Sequence, residues 1–571
     1  MIIQNMFIQS DSRQRVVANS LACDAGVFRE FGSVERTIRR EIEQRVDENQ
    51  DRIVLREVGS SSQHANSSLI LEFELLLLRL LLSKFQLRHT YVPPAPRRGM
   101  DQFVNRVEEL DRLRTLYESD AAELAVIYGR RQIGKSELVR RSISDRDDAV
   151  YYQAVQGTAT TQRRRFVEAA ATTYPEITEI KEEWELLLKH LTERDAVIVI
   201  DEFPYLIESN DGLPSIIQHL WDTAVDESQA TLVLTGSAIG MIHTHILDGG
   251  APLYGRVSQT PNGRLELAQL PFHTIHEFVP AYDPEERVFV YGVFGGTPRY
   301  LSPLDPSQSL GENITRLLYD PDGPLHDEPE TVLQMELNEV HTYFSVLESM
   351  ASGNRRRNEI AQGAGIASTN TSYYFDRLET LRIIEKHHPA LTDPARSKRT
   401  RYRIRDPVFR FYFRYLYGRE GQYELYGENG YEDLIEPELP DFVSETFESL
   451  CHQAVPALYS DYQLTRVPTQ WWYKRREIDI VAPTDESTLI AGEVKFTSTP
   501  LGYDVFSDLE DDVEHVDWTP AGGGDPTYEF ALFSRSGFNP SVEEAADERD
   551  DLRLFDLSDV VAVLENGTSP R

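Results

Sequence analysis

One stretch decides the fold: Gly129-Arg130-Arg131-Gln132-Ile133-Gly134-Lys135-Ser136. It fits G-x-x-x-x-G-K-[S/T], a loop whose backbone N–H groups curl around phosphate oxygens. The apolar run before it, Leu124–Tyr128, predicts a buried strand, and Glu137–Arg141 after it predicts the first turns of a helix. Lys135 can then reach the β- and γ-phosphates, and the Ser136 hydroxyl can ligate Mg²⁺. We predict ATP and Mg²⁺ as cofactors and treat all eight residues as cofactor-binding; a chance Gly-rich turn is the alternative.

A second apolar run ends in two carboxylates, about seventy residues further on. It reads Ala196-Val197-Ile198-Val199-Ile200-Asp201-Glu202. In this setting we expect Asp201 to hold Mg²⁺ through water and Glu202 to polarise the water that attacks the nucleotide.

Two further features are candidates for the same chemistry. The next apolar strand ends in Thr235-Gly236-Ser237, where Thr235 and Ser237 could sense the γ-phosphate or the water. A plain strand-end turn is the alternative. Pro252-Leu253-Tyr254-Gly255-Arg256 places Arg256 where it could reach a neighbouring nucleotide as an arginine finger, although an ordinary surface arginine is equally compatible.

Length and composition limit the classes of protein to which this chain can belong. The chain has 571 residues, two cysteines and a formal net charge of −36. Such a length predicts three or four domains, and two cysteines exclude a disulfide framework or a Cys-based zinc site. The acidic, lysine-poor composition is similar to that of cytosolic proteins from salt-loving archaea. The apolar segment 69–82 is interrupted by Glu72, Glu74 and Arg79, so it is a poor membrane span. We expect a cytoplasmic protein with no membrane partner.

Several motifs, taken in their order along the chain, resemble those of a known family. The first and second Walker stretches are the phosphate loop and Ala196–Glu202. The other motifs are Asn105-Arg106, Leu234–Ser237, Leu253–Arg256 and Gly295–Leu301. Together they resemble the archaeal ATPase family of the AAA+/STAND group, over 103 to about 305. The resemblance implies a doubly wound parallel sheet, ATP with Mg²⁺, and attached domains that move on hydrolysis. It also implies that the segment with Arg106 covers the adenine, and it allows a homo-oligomer.

Residues 330–405 predict a winged helix-turn-helix: helices, then the strands Ile383–Lys386 and Arg401–Ile404 joined by a polar loop. The wing is the most basic part of an acidic chain, with Arg396, Lys398, Arg399, Arg401, Arg403 and Arg405. Clustered arginines favour phosphate contact, so we expect DNA as a partner. The alternative is a winged helix that only packs inside the chain, as a lid on the ATPase.

A second constellation with chemistry lies near the carboxyl end. Glu493-Val494-Lys495 puts Glu493 and Lys495 on one face of a strand, and Asp479 ends the preceding strand. Two carboxylates can hold Mg²⁺, while a lysine can stabilise charge on a phosphodiester. The pattern resembles the PD-(D/E)XK nuclease superfamily, with Glu448 as a further metal ligand on a preceding helix. A degenerate fold used only for binding is the alternative.

We therefore predict an α/β protein with four parts. They are a poorly structured extension (1–99, with Met100 as the natural start), a P-loop ATPase domain (100–305), a helical lid with a winged helix (306–417) and a restriction-endonuclease-like α/β domain (418–571). The predicted function is ATP hydrolysis coupled to DNA binding and metal-dependent cleavage. The alternative is a nucleotide switch that recruits DNA or protein and cuts nothing.

Overall fold

A parallel sheet surrounds the strand that leads into the phosphate loop. The computed structural model describes residues 103–223, 228–337, 339–485, 487–520 and 522–566, so the expectation for residues 1–99 lies outside it. Five strands, all paired in parallel, have the order β2-β3-β4-β1-β5. Their bounds are Glu123–Tyr128 (β1), Ala149–Gln153 (β2), Val197–Asp201 (β3), Thr231–Gly236 (β4) and Arg264–Glu266 (β5). The order places β4 between the two Walker strands.

Helices cover both faces of this sheet, which confirms the predicted α/β architecture. One face packs against the helices Val107–Tyr117 and Lys135–Ser142 through Leu113, Leu138 and Val139. The other face packs against three further helices: Ala159–Ala170, Trp184–Thr192 and Leu213–Thr223. Both faces of β1, β3 and β4 are buried, and this explains why their sequences are apolar without alternation. The short helices Pro204–Ser209, Ile239–Ile242 and Tyr254–Gln259 complete this part.

A mainly helical segment follows the sheet. Its helices are Ile275–Phe278, Pro284–Phe294, Pro298–Leu301, Leu310–Ile314, Glu328–Glu336, Val340–Ala351, Arg357–Gly363 and Thr371–Thr380. The antiparallel strands Ile384–His387 (β6) and Arg401–Ile404 (β7) close it. The last three helices and the hairpin occur in the order predicted for a winged helix. The aromatic helix Pro407–Phe411 then continues into a π-type turn, Tyr412–Leu416, and is buried.

The carboxyl-terminal part contains a mixed sheet of order β12-β11-β10-β9-β8. β9 pairs in antiparallel fashion with β8 and with β10. β11 pairs in parallel with β10 and with β12. The strands are Thr469–Tyr473 (β8), Arg476–Pro483 (β9), Thr488–Lys495 (β10), Thr527–Ser534 (β11) and Leu552–Asp556 (β12). The helices are Glu420–Tyr426, Leu439–Leu458, Tyr503–Val513, Pro540–Glu548 and Leu557–Asn566.

One hydrophobic core joins the helical segment to the mixed sheet. It includes residues from both, and the described residues belong to one compact unit, Pro96–Arg571. Gly292 permits a close approach of two helices, because a Cβ there would lie 2.8 Å from the Val443 side chain on the Leu439–Leu458 helix. No helix within the described ranges has both the length and the apolar character needed to cross a membrane.

Candidate functional site

The phosphate loop has the closed shape that its glycines allow. Gly129 has a φ of 155°, and a Cβ there would lie 2.6 Å from the Leu267 carbonyl oxygen. The Lys135 ammonium is buried and donates to the carbonyl oxygens of Gly129 (3.0 Å) and Arg130 (2.8 Å). Burial lowers the pKa of Lys135 to about 8, against the opposing effect of Glu202 and Asp201. A phosphate group would therefore meet a cation that has no carboxylate hydrogen-bonded to it.

A cavity of about 580 Å³ adjoins the loop at Gly134. Most of the residues that line it are apolar, as suits a nucleoside base, and Arg106, Glu137, Glu277 and Ser302 add polar atoms. Arg106 lines this cavity, but its guanidinium is buried and supports the loop instead of facing open space. It donates to the carbonyl oxygens of Ala268 (2.6 Å) and Ile133 (3.3 Å). The other lining residues include Phe103, Val104, Leu270, Phe278, Pro280, Pro298, Leu301 and Leu304.

The two carboxylates of the second Walker stretch have separate partners. Asp201 is fully buried and accepts hydrogen bonds from the hydroxyl groups of Thr235 and Tyr151, the latter at 2.7 Å. Glu202 adopts a left-handed φ of 56° and accepts from the Ser237 amide (3.1 Å) and hydroxyl (2.8 Å) through Oε2. Because β4 adjoins β3, Thr235 and Ser237 each reach one Walker carboxylate.

Tyr151 was missed by sequence reasoning. It lies on β2, which pairs with β3 in a register that aligns Gln153 with Asp201. Alternation along a strand puts Tyr151 and Gln153 on the same face of β2. That face could be linked to Asp201 only once the pairing of β2 with β3 was known.

The oxygen atoms near the loop fit Mg²⁺. Ser136 and Asp201 supply a hydroxyl and a carboxylate, and Mg²⁺ is usually held by one or two carboxylates together with substrate phosphates. No group of three or more His, Cys, Asp and Glu side chains in the described ranges could hold a metal ion. A Mg²⁺ ion at this site would therefore need the phosphates of the nucleotide as additional ligands.

Arg256 is occupied by a surface contact. Its Nε donates to Asp222 Oδ1 at 2.8 Å, and its side chain is 29% exposed. This pair supports the surface-arginine alternative within one chain, so a role at a neighbouring nucleotide stays a prediction.

Both arginines of the phosphate loop pair with carboxylates that are distant in sequence, which sequence reasoning did not foresee. Arg130 pairs with the fully buried Asp406 and stacks at 4.9 Å from the Phe409 ring centroid. Arg131 Nε donates to Glu336 Oε1 at 2.9 Å. The phosphate loop is thereby tied to the helical segment and to the aromatic helix.

The second predicted site also assembles. The Lys495 ammonium contacts Glu493 and lies 3.9 Å from Asp479 Oδ2, and the Val494 amide donates to the same Asp479 oxygen at 3.0 Å. Burial and the neighbouring Asp479 raise the pKa of Glu493 to about 8, although Lys495 opposes this. Asp479, Glu493 and Lys495 therefore meet at one end of β9 and β10.

Glu448 lies on the Leu439–Leu458 helix, and its role as a metal ligand stays a prediction. Burial and Asp479 raise its pKa to about 8. One turn later, His452 Nε2 donates to the Asp479 carbonyl oxygen at 2.7 Å, and its pKa is lowered to about 4 by burial. His452 was not anticipated, because only the fold brings it to Asp479.

Two wing arginines contact the carboxyl-terminal part, whereas Arg396, Lys398 and Arg405 are exposed. Arg401 forms a bidentate pair with Glu477 at 2.8 and 2.9 Å, and Arg399 donates to the Trp472 carbonyl oxygen at 2.9 Å. Arg403 contacts Glu385 at 2.5 Å. These contacts are intramolecular, but they join the wing to the mixed sheet and not to the ATPase part, so DNA contact by the exposed wing residues stays a prediction.

Two family models match the chain. A model of an ATPase domain predominantly from Archaea matches residues 103–304, and a model of archaeal and bacterial proteins of unknown function matches residues 412–505. Among solved structures, the Walker-type ATPase PABY2304 of Pyrococcus abyssi is 17% identical at a TM-score of 0.42, covering 56% of this chain and 99% of that one. Cdc6p from Pyrobaculum aerophilum is 13% identical at a TM-score of 0.27, covering 63% and 97%.

One relative is matched by this chain over most of the relative's length. The uncharacterized protein MJECL04 of Methanocaldococcus jannaschii is 32% identical over 393 residues, which cover 67% of this chain and 84% of the relative. An uncharacterized ATP-binding protein of the same organism, MJ0423, is 38% identical over 48 residues, 8% of this chain and 81% of that protein. With its Walker residues assembled at one sheet edge, this chain belongs to the family that carries the ATPase domain found predominantly in Archaea.

Proposed function

We propose that the protein binds ATP with Mg²⁺ at the phosphate loop and hydrolyses it with Glu202 as the group that activates water. The observation that carries the proposal is the meeting of Lys135, Asp201 and Glu202 at the carboxyl edge of one parallel sheet. The ATPase family model over residues 103–304 supports it.

Each residue has a distinct part in this chemistry. The loop N–H groups and Lys135 bind the phosphates, and the apolar cavity beside Gly134 takes the base. Ser136 and Asp201 would hold Mg²⁺, which would neutralise charge on the phosphate oxygens. Glu202, oriented by Ser237, accepts the proton of the attacking water.

Two substitutions separate binding from catalysis. Lys135→Ala removes the cation that faces the phosphates, so nucleotide affinity should fall. Glu202→Gln keeps the shape of the side chain and removes the base, so the variant should bind ATP while kcat falls about 10²-fold or more. Nucleotide affinity is measured by equilibrium titration and kcat by phosphate release; equal loss of affinity in both variants would contradict these roles.

A second candidate function is metal-dependent cleavage of a DNA phosphodiester at the mixed sheet. The observation that favours it is the convergence of Asp479, Glu493 and Lys495, with Glu448 adjacent. Asp479 and Glu493 are carboxylates of the kind that Mg²⁺ prefers, and a divalent cation would relieve the repulsion between them. Since no group of three such side chains in the described ranges could hold a metal ion, the substrate phosphate and water would have to complete the ligands. Lys495 would stabilise charge on the phosphate. Without cleavage, the protein would be a nucleotide switch that recruits DNA or protein.

Cleavage is tested with plasmid DNA, ATP and either Mg²⁺ or Mn²⁺. Asp479→Ala and Glu493→Ala should each abolish cutting while ATP hydrolysis continues, because the two sites use different residues. Lys495→Ala should lower the cutting rate more than metal affinity. Cutting that survives Asp479→Ala would place the activity elsewhere, and no cutting by the unaltered protein with either metal would favour the switch.

A further inference from the structure

Arg131 belongs to the phosphate loop, and its guanidinium is paired with Glu336. We propose that Arg131 contacts the terminal phosphate of ATP in the chain's own site, and that Glu336 competes with this phosphate for the arginine. The proposal rests on the proposed hydrolysis at Glu202. It adds an arginine from the same chain that contacts the γ-phosphate, and a carboxylate, Glu336, that lowers the affinity for ATP without affecting the affinity for ADP.

Two neighbours locate the Arg131 guanidinium. One is Glu336, at 2.9 Å. The other is Tyr205, the second residue of the Pro204–Ser209 helix, whose amide donates to the Glu202 carbonyl oxygen at 3.1 Å. Burial lowers the pKa of Arg131, but Glu336 and Tyr205 together more than offset this effect. Arg131 therefore lies near the segment that follows Glu202.

Glu336 is close enough to affect the phosphate site. Glu336 and Arg131 both contribute, with opposite signs, to the lowered pKa of Lys135, which results chiefly from burial. The Glu336 backbone is fixed, because its carbonyl oxygen accepts from Arg377 Nη2 at 3.0 Å. A carboxylate held at this place repels a triphosphate and occupies the arginine that could bind it.

The contrast with Arg130 indicates which arginine can exchange partners. Arg130 is 13% exposed, and its partner Asp406 is fully buried and also accepts from Gln269 at 3.1 Å. The ring of Phe409 covers the same guanidinium. Arg131 is 28% exposed and has one short carboxylate contact. We infer that Arg130 is an anchor of the loop and that Arg131 is the exchangeable residue.

The reaction balances without any further reagent. Water attacks the γ-phosphorus, the bond from this phosphorus to the bridging oxygen breaks, and ADP leaves. The proton of the water passes to Glu202, and inorganic phosphate is the second product. Arg131 donates N–H groups to the γ-phosphate oxygens, over which negative charge is spread in the transition state. Within one chain, Arg256 is paired with Asp222.

The competition predicts opposite effects for two substitutions. Arg131→Gln should lower kcat about 10³-fold with ADP affinity unchanged, and Arg131→Lys should restore part of the rate, since the charge returns without the planar fork. Glu336→Gln removes the competitor. It should tighten binding of a non-hydrolysable ATP analogue at least about fivefold and leave ADP affinity unchanged.

A matched control separates this effect from general charge. Glu348→Gln makes the same charge change at an exposed position of the Val340–Ala351 helix and should alter neither affinity. The affinities of the ATP analogue and of ADP are measured by titration, and ADP binding also reports that each variant is folded. Equal tightening for both nucleotides in Glu336→Gln, or the same result in Glu348→Gln, would overturn the competition. Absence of turnover in the unaltered protein would refute hydrolysis and leave this binding comparison intact.

Discussion

At the scale of single residues, the ends of β3 and β4 show how neighbouring strands position a reacting group. Thr235 donates to Asp201, and its hydroxyl also accepts from the Glu202 amide at 3.2 Å. Ser237 holds the Glu202 carboxylate by two hydrogen bonds. The two hydroxyl residues therefore serve different carboxylates: Thr235 orients the candidate metal ligand and Ser237 orients the candidate base.

This division predicts different kinetic effects. Ser237→Ala removes one of the hydrogen bonds that orient Glu202, so kcat should fall about tenfold while KM for ATP stays unchanged. Thr235→Val keeps the side-chain volume and leaves Asp201 without one donor, so the Mg²⁺ concentration needed for half-maximal rate should rise. Both are measured by steady-state phosphate release. The same change in both parameters for the two variants would show that the hydroxyl groups act only on packing.

At the scale of elements, the Leu439–Leu458 helix joins the helical segment to the second site. Its Glu445 faces three arginines: it contacts Arg410 and lies 3.8 Å from both Arg403 and Arg355. Burial would raise the pKa of Glu445, but Arg410, Arg403 and Arg355 outweigh it and lower the pKa to about 2. Glu448 lies one turn further on the same helix, so this ion-pair cluster also positions the acidic site.

The lowered pKa predicts a pH-dependent contribution to stability. A carboxyl group whose folded-state pKa is depressed stabilises the folded state above its unfolded pKa and loses this effect as pH falls toward the folded value. Glu445→Gln should therefore reduce the free energy of unfolding by about 3 kcal/mol at pH 6. The difference from the unaltered protein should shrink between about pH 4.5 and pH 3. Denaturant unfolding at several pH values measures it; a difference that grows on acidification would contradict the assignment.

At the scale of the whole molecule, the wing joins parts of one chain. Arg401 is 15% exposed, stacks at 4.3 Å from the Trp472 ring centroid and pairs with Glu477. An arginine with these contacts supports the packing of the β6–β7 hairpin on the mixed sheet. DNA contact through this surface would require those contacts to open.

Arg401 therefore predicts a stability effect. Arg401→Gln should lower the free energy of unfolding by about 1–3 kcal/mol, because Glu477 and the Trp472 ring lose a shared partner. Arg396→Gln is the matched control, since Arg396 is 89% exposed on the loop of the same wing and should change stability by less than about 0.5 kcal/mol. Equal stability of the two variants would show that the wing does not hold the sheet. Oligonucleotide titrations on the same variants test the DNA expectation directly.

Much of the fold follows from local pattern. The apolar strands, the Gly-rich loop and the two terminal carboxylates specify the parallel sheet, because a strand buried on both faces must be apolar throughout. In the same way, alternation in β9 and β10 put Glu493 and Lys495 on one face. The roles expected of these groups stay predictions, while their spatial convergence is observed.

The sequence by itself determined which residue types end each strand and in what order the elements occur. Only the tertiary structure decided the partners of the charged groups. Asp406 lies 276 residues after Arg130, and Glu336 lies 205 residues after Arg131, distances that no helical or strand periodicity encodes. The wing arginines show the same limit, since their basic pattern fits DNA or a neighbouring acidic surface equally well. For Arg401, packing supplies an acidic partner, Glu477, because burying a charge is costly unless an opposite charge is brought beside it.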